Sequence, residues 1–501
     1  MEYLDTLYTK GQEEELVPVV RELPADLETP VSAFLKLGKN PPSFLLESVE
    51  RGEQLGRYSF IGTNPYLVLR TSGNEGIICH QQEVSKITLG LPPEGPDPLH
   101  LVQSILARHT VAAAPGLPLF FGGAVGYLAY DAVRFFEKLP SCPDDELRLP
   151  ESTFLFSDTL VIFDHVQHKM KIVSNVPGKS SNTTVSRMAS DKVDNIVAAL
   201  GGGLPPEPQI SFPVSAKDAP PLVSNFTPSQ FADMVRAAKE HIFAGDAFQI
   251  VISQRLRRQT WADPFSIYRA LRMLNPSPYM FYLDFGDFQL IGSSPEMMVK
   301  LQEGQAETRP IAGTRPRGHN QEEDDALIAA LLADPKELAE HTMLVDLGRN
   351  DIGRVSRFGS VRVPLYMGVE KYSHVMHIVS SVQGELKPEY NAFDLLRASF
   401  PAGTLSGAPK IRSMEIITEL EGTKRGPYGG AVGYFGFGGN MDTCITIRTI
   451  VMIGDTVYLQ GGAGIVADSE PMREYEETLN KIQVLEEAVR LAESWKEQSG
   501  R

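Results

Sequence analysis

The chain has 501 residues, with 47 Lys plus Arg against 63 Asp plus Glu and a formal net charge of -16. Hydrophobic residues make up 42% and charged residues 22%, which supplies a core and excludes disorder as the main state. An acidic balance without a basic block excludes a nucleic-acid binder, and no apolar run approaches the ~18 residues of a membrane span.

The length predicts roughly two or three domain-sized units, or one large fused architecture. Met1 to Val20 has no basic stretch leading into an apolar one, so no secretory signal is expected. Cys79, Cys142 and Cys444 are far apart and form no CxxC, which reads as plain thiols in a reducing, cytoplasmic compartment.

In chain order, short apolar segments come first: PYLVLRTS, EGIICH, LFFGGAVGYLAY and STFLFSDTLVIFDH. Gly and Pro punctuate them, predicting strands and hairpins. From Asn175 to Asn225 the chain turns polar and Gly/Pro-rich, predicting a linker that holds one helical run, Ser186 to Leu200. Asn182-Thr183-Thr184 matches a glycosylation acceptor, which is noise in a cytosolic chain. The expected division is an N-terminal region 1–175, a linker 176–225 and a C-terminal domain 226–490.

Beyond the linker, helices and strands alternate. Phe231, Met234, Val235, Ala238 and Ile242 recur at helical spacing and predict a helix over Pro228 to Ala244. Phe281 to Val299 reads as a strand pair turning at Gly286-Asp287, and Gly436 to Gly439 as a hairpin turn. Glu322 to Leu347 and Pro471 to Gln498 read as long helices. The string Gly122-Gly123-Ala124-Val125-Gly126-Tyr127 recurs as Gly429-Gly430-Ala431-Val432-Gly433-Tyr434. It marks either two similar strands packed closely or a duplicated half-domain.

Glu337 and Glu340, and again Glu474 and Glu477, stand three apart on predicted helices, so each pair shares a face. Two such faces converging would suit Mg2+, although surface helices carry this spacing constantly. Gly461-Gly462-Ala463-Gly464 follows a strand, Thr456 to Gln460, and could cradle an anion on its N–H groups. It lacks the Lys and Ser/Thr of a P-loop, which disfavours a nucleotide. His374 and His377 lie in a β-branched segment and point to opposite faces, so they do not share a zinc ion. One of them is either a structural histidine or a general acid or base. Arg448 falls in a predicted strand, Thr443 to Thr449, and needs either an internal salt bridge or a substrate carboxylate.

Several strings then occur in order: PIAGTRPRG from Pro310, EHTMLVDLGRNDIGRV, ASFPAGTLSGAPKIRSMEII, GPYGGAVGY, DTCITIRT, GGAGIVADS and EYEETLNK. Together they resemble the chorismate-utilising enzymes, and among them the large subunits of anthranilate synthases. The likeness covers residues 225 to 490, with a weaker part at Leu45-Leu46-Glu47-Ser48 and Gly56-Arg57-Tyr58-Ser59. It implies an α+β fold with two antiparallel sheets packed as an orthogonal sandwich, helices outside and the active site in a cleft. It also implies that chorismate and ammonia become anthranilate and pyruvate, with Mg2+ as cofactor.

By the same likeness Glu340 and Glu477 are the Mg2+ ligands, with Glu337 and Glu474 acting through water. Gly313, Thr314, Tyr428, Arg448, Gly462, Ala463 and Gly464 hold chorismate. His377 is the catalytic histidine and a proton donor, assisted by Thr404 and Glu296. Ser48, Glu47, Pro278, Tyr279 and Met280 form a tryptophan feedback site. Relatives that aminate C4 usually carry Lys where this chain has Ala312. Relatives that activate water carry Lys at the position matching Gln249, where a neutral amide suits ammonia. No amidotransferase cysteine context occurs, so the resemblance implies a separate glutamine amidotransferase subunit and a hetero-oligomer. The competing expectations are an aminodeoxychorismate synthase and a non-catalytic tryptophan-sensing scaffold.

Overall fold

Alternating apolar positions assemble into two large sheets, one of 13 strands and one of 12. This computed structural model describes residues 14–48, 56–80, 83–90, 96–112, 114–142, 144–178, 183–204, 220–372 and 375–499. His374 and Asn182 lie outside them. Among the described residues the named strands pair antiparallel, except where Glu14–Pro24 meets His109–Val111.

Phe44, Phe281, Leu283 and Phe288 of the larger sheet meet Tyr127, Leu155, Val432 and Cys444 of the smaller one in a shared apolar core. Helices cover the outer faces. Pro264–Leu274 and Pro471–Ser499 bury Tyr268, Leu271, Leu485 and Ala492 on the larger sheet. Pro98–Leu106, Pro335–Gly353 and Ala392–Ser399 bury Leu99, Val345 and Leu396 on the smaller one. The α+β class with two facing sheets and external helices is as the resemblance implies.

Each sheet draws strands from both sides of residues 176–225. Ser43–Glu47 pairs with Tyr279–Asp284 in one sheet, and Gly123–Leu128 pairs with Ala431–Gly436 in the other. Within that segment the helix Thr183–Leu200 packs Val193 and Leu200 into the outer core. The two GGAVGY strings are direct neighbours, with Gly126 opposite Gly433. A Cβ on Gly126 would lie 2.0 Å from Thr153 O, and one on Gly433 would lie 2.1 Å from Asp442 O. Their glycines therefore let adjacent strands approach.

Three expectations need correction. The helix expected over Glu322 to Leu347 is two, Gln321–Leu332 and Pro335–Gly353. Asp334 caps the second by accepting from the Lys336 and Glu337 N–H groups, with Pro335 at its first position, a start signal inside a helical pattern. The strand expected through Arg448 ends at Ile445, and the next begins at Thr449. The glycines 461–464 are no loop nest but the end of one long strand, Thr456–Ile465. Among the described residues no helix is long and apolar enough to cross a membrane.

Candidate active site

The chain changes sheets twice at one place. Phe288–Ser294 belongs to the larger sheet and Met297–Gln302 to the smaller, so Pro295 and Glu296 make the step. Met441–Ile445 and Thr449–Ile453 make the reverse step through Thr446 to Arg448. The crossings are tied together: Ile445 N–H donates to Glu296 O and Ser293 N–H donates to Arg448 O, each at 3.0 Å. Arg448 takes the left-handed conformation, φ 50°, to turn between sheets.

At this joint Thr404 Oγ1 donates to Glu296 Oε1 at 3.1 Å. Desolvation, opposed by that bond, pushes the Glu296 carboxyl up to about 8, so it is a neutral acid near neutrality. Arg448 is half-buried, and desolvation lowers its pKa. Its Nη1 donates to Lys481 O at 2.8 Å, and among the described residues no carboxylate pairs with it. The internal salt bridge is thus absent, and the fork remains available to an anion.

The glycine strand is joined to Arg448 through Lys481, whose O accepts from Arg448 and whose Nζ donates to Gly462 O. Ser253 N–H donates to Glu421 Oε1 at 2.7 Å instead of across to Gly462, its opposite residue. That makes a non-hydrogen-bonded pair, so the Gly462 N–H and, by the two-residue repeat, the Gly464 N–H point away from that neighbour. On the other side Thr449–Ile453 pairs only up to Leu459. The N–H groups of Gly462 and Gly464 therefore face an open edge, the donor array a carboxylate needs. A Cβ on Gly462 would lie 2.8 Å from Tyr428 Oη, which puts that buried phenol against the strand.

Lys481 Nζ reaches back to Gly462 O at 2.9 Å and to Glu477 Oε1 at 2.6 Å. Sequence reasoning missed Lys481, because its spacing from Glu477 is that of an ordinary helix ion pair. It missed Arg315 too, whose Nη1 donates to Glu337 Oε1 at 3.0 Å.

Glu337 and Glu340 lie on Pro335–Gly353, and Glu474 and Glu477 on Pro471–Ser499. Desolvation raises the Glu340 carboxyl above its usual range, and the charges of Glu337 and Glu477 add to this. Desolvation raises Glu474 as well, with Glu477 adding. The two helices thus bring like charges within electrostatic reach, which a cation would relieve. Among the described residues no group of three His, Cys, Asp or Glu side chains could enclose a metal ion by itself.

Gln249 begins the strand Gln249–Gln259 and is buried. Its Nε2 donates to Glu340 Oε1 at 3.4 Å, while its Oε1 meets no donor among the described residues. A Cβ on Gly464 would lie 2.7 Å from that Nε2. On the opposite wall, Gly313 takes φ 66° at a bulge in Ile311–Pro316. His377 Nδ1 lies 3.0 Å from Thr314 Oγ1 and 3.2 Å from Gly313 O, and desolvation lowers its pKa, so it is neutral near pH 7. A Cβ on Gly313 would sit 3.2 Å from Glu337 Oε2, which joins this wall to the carboxylates.

A separate cavity of about 560 Å3 lies near the core between the sheets, lined by Ser48, Pro278, Tyr279, Phe281, Tyr434 and Asp442 among others. Glu47 and Met280 border it, but strand alternation sends their side chains to the outer face. There Glu47 accepts from Arg272 Nε at 2.9 Å and from Tyr268 Oη at 2.5 Å, and Met280 joins the outer core.

The chain matches the chorismate binding enzyme family over residues 42–487. It is similar to the anthranilate synthase component 1 of Acetivibrio thermocellus, 47% identical over 97% of this chain and 98% of that one. The anthranilate synthase component 1 of Aquifex aeolicus is 46% identical, with 96% of each covered. Among solved structures, anthranilate synthase component I from Streptococcus pneumoniae has a TM-score of 0.76 at 36% identity, covering 92% of this chain and 98% of that one. The menaquinone-specific isochorismate synthase of Escherichia coli has a TM-score of 0.70 at 17% identity over 97% of this chain and 98% of that one, a likeness of fold alone.

Proposed function

The chain belongs to the chorismate binding enzymes, and we propose that within them it is the chorismate-aminating subunit of an anthranilate synthase, releasing anthranilate and pyruvate. The observation that carries this reading is Arg448, whose guanidinium has no carboxylate partner among the described residues and is linked through Lys481 to Gly462, whose N–H faces an open strand edge together with that of Gly464. A side-chain carboxylate of chorismate fits that array, with Tyr428 and Lys481 beside it.

Glu340 and Glu477 would hold a divalent cation, Mg2+, with Glu337 and Glu474 acting through water. When bound, it neutralises the ring carboxylate and orients the ring. Gln249 accepts an N–H of ammonia on its unpartnered Oε1 and aims the nitrogen at C2. As the C2–N bond forms, the ring double bonds shift and the C4–O bond breaks. Glu296 gives its proton to the departing hydroxyl, which leaves as water. The donor role expected of His377 passes to Glu296, because desolvation holds Glu296 in its acid form and His377 in its neutral form. His377 then positions Thr314 and the ring from the opposite wall. The ammonium formed at C2 gives its extra proton to water, and the C2 proton then passes to the methylene carbon of the enolpyruvyl group as its C3–O bond breaks, which releases pyruvate and leaves the aromatic ring.

Ammonia comes from a separate glutamine amidotransferase subunit in a cytoplasmic hetero-oligomer. In support, Cys444 is buried with its thiol pushed up by desolvation, the opposite of an activated nucleophile. The cavity bordered by Ser48, Pro278 and Tyr279 takes tryptophan, an inhibitor competitive with chorismate. Unchanged kinetics in millimolar tryptophan would refute that part.

The test is to incubate the pure chain with chorismate, Mg2+ and an ammonium salt, and to identify the product by mass and fluorescence. Anthranilate is expected, and none with glutamine as the nitrogen source. Aminodeoxychorismate would mean that Ala312 does not exclude amination at C4. No product at all would favour the scaffold reading.

A further inference from the structure

Residues 400–409 connect two groups that the reaction uses at separate points. Midway along it Thr404 Oγ1 donates to Glu296 Oε1 at 3.1 Å. Near its C-terminal end, Gly407–Ala408 pairs with the first residues of the strand Gln249–Gln259, Ala408 lying opposite Gln249. Phe248 N–H donates to Ala408 O at 2.7 Å, and Ser413 Oγ donates to Gln249 O at 3.0 Å. A Cβ on Gly407 would lie 2.1 Å from Gln249 O, so the two backbones touch. The segment also lies against the helix Pro335–Gly353, where a Cβ on Gly403 would fall 1.8 Å from Leu347 Cδ2.

Lys410 closes the neck of this segment. Its Nζ donates to Ser399 O at 3.2 Å, across the whole loop, and to Asp351 Oδ2 at 2.9 Å. Asp351 sits in the last turns of Pro335–Gly353, the helix that carries Glu337 and Glu340. The lysine and aspartate side chains keep only 13% and 15% of their surface exposed, so the pair is screened from water. Asp351, Ser399, Gly403, Thr404 and Glu296 all line one small cavity of about 40 Å3, which places the knot directly behind the acid.

We propose that Lys410 is a positioning residue: by tying Ser399 and Asp351 together it sets the 400–409 segment, and through it the placement of Thr404 on Glu296 and of Gln249 beside Glu340. This rests on the reading of Glu296 as the acid and Gln249 as the ammonia acceptor. The physical reason is that a loop with a fixed neck has fewer conformations, and both contacts depend on its backbone.

The hydrogen bond from Thr404 and the charge of Lys481 both oppose the desolvation that raises Glu296. Loosening the loop therefore does something that general destabilisation does not. It removes the bond that holds the Glu296 pKa down, and the alkaline limb of the pH–rate profile moves to higher pH.

The experiment uses the full chain with chorismate, Mg2+ and ammonium. Lys410→Met is expected to lower kcat on the order of tenfold to a hundredfold. It should leave the chorismate KM within about twofold, raise the ammonium KM and shift the alkaline limb upward. Thr404→Val should give the same limb shift without the change in ammonium KM, and the double variant should shift the limb no further. Should Lys410→Met fail to fold, as judged by thermal unfolding, Asp351→Asn removes half of the knot and is expected to act in the same direction. A folded Lys410 or Asp351 variant with an unmoved alkaline limb overturns the proposal. If Glu296→Gln keeps the wild-type limb, the acid assignment has failed instead, and the two failures are told apart.

Discussion

Gln249 and Glu340 meet through a single amide–carboxylate hydrogen bond of 3.4 Å, and this contact decides which end of the amide is left over. A carboxylate accepts only, so the NH2 turns to Glu340 and the carbonyl oxygen remains for a donor such as ammonia. Gln249→Leu keeps the volume and removes the acceptor. The ammonium KM should rise about tenfold, as expected for one lost hydrogen bond, with chorismate KM little changed. Steady-state kinetics at varied ammonium checks this, and an equal loss toward both substrates would contradict it.

Glu296 supplies a pH signature. Its carboxyl is raised from 4.5 to about 8, so the acid form needed by the departing hydroxyl persists to mildly alkaline pH. Activity should fall as pH rises through about 8. Glu296→Gln should cost about a hundredfold in kcat and lose that limb. Stability follows the same sign. The folded pKa exceeds the unfolded one, so the neutral group's contribution is complete below the unfolded value and is lost as pH rises through the folded one. The variant should therefore gain thermal stability over wild type at pH 9 relative to pH 6, which a melting series at the two pH values would show.

The four carboxylates predict a metal requirement. Glu340 is raised partly by Glu337 and Glu477, and a divalent cation removes that like-charge cost. A chelator should abolish turnover, and Mg2+ should restore it. Saturating Mg2+ should also raise the unfolding temperature of the chain, because a ligand of the folded state stabilises it by mass action. Glu340→Gln should lose both effects. A Glu340→Gln variant with full activity would return the scaffold reading to consideration.

Stability near the substrate wall depends on Arg425 and Glu421, which are 2% and 6% exposed. Arg425 donates from Nε and Nη2 to Glu421 at 2.9 and 2.6 Å, and to Leu405 O and Val251 O at 2.6 Å. Glu421→Gln leaves a buried guanidinium without its countercharge. The expected cost is about 3–5 kcal/mol, read from the denaturation midpoint. The pair also contacts Leu405 in the 400–409 segment, so residual activity should fall together with stability.

By itself the sequence determined the element types, the chemistry of the residues and, through ordered motifs, the family. Helices with regular apolar spacing, such as Pro228–Phe243, were legible because burial repeats every 3.6 residues. The carboxylate pairs were legible because an i,i+3 spacing fixes a shared face. What lay outside local pattern was decided by tertiary structure. Arg448 read as a strand residue because its neighbours are β-branched, yet the chain changes sheets there, an event set by which distant strands pair. Gly461 to Gly464 read as an anion cradle following a strand, yet they lie within that strand, and the open N–H edge arises because a neighbouring strand stops short. The side-chain directions of Glu47 and Met280 followed from which face of their strands meets the helices. Lys410 lay within a quoted motif but its role did not show, since only the fold brings its ammonium to Ser399 O and to the Asp351 carboxylate. Local periodicity records how each segment buries its own surface, whereas the site is made where segments far apart in the chain end, cross and leave polar groups facing one another.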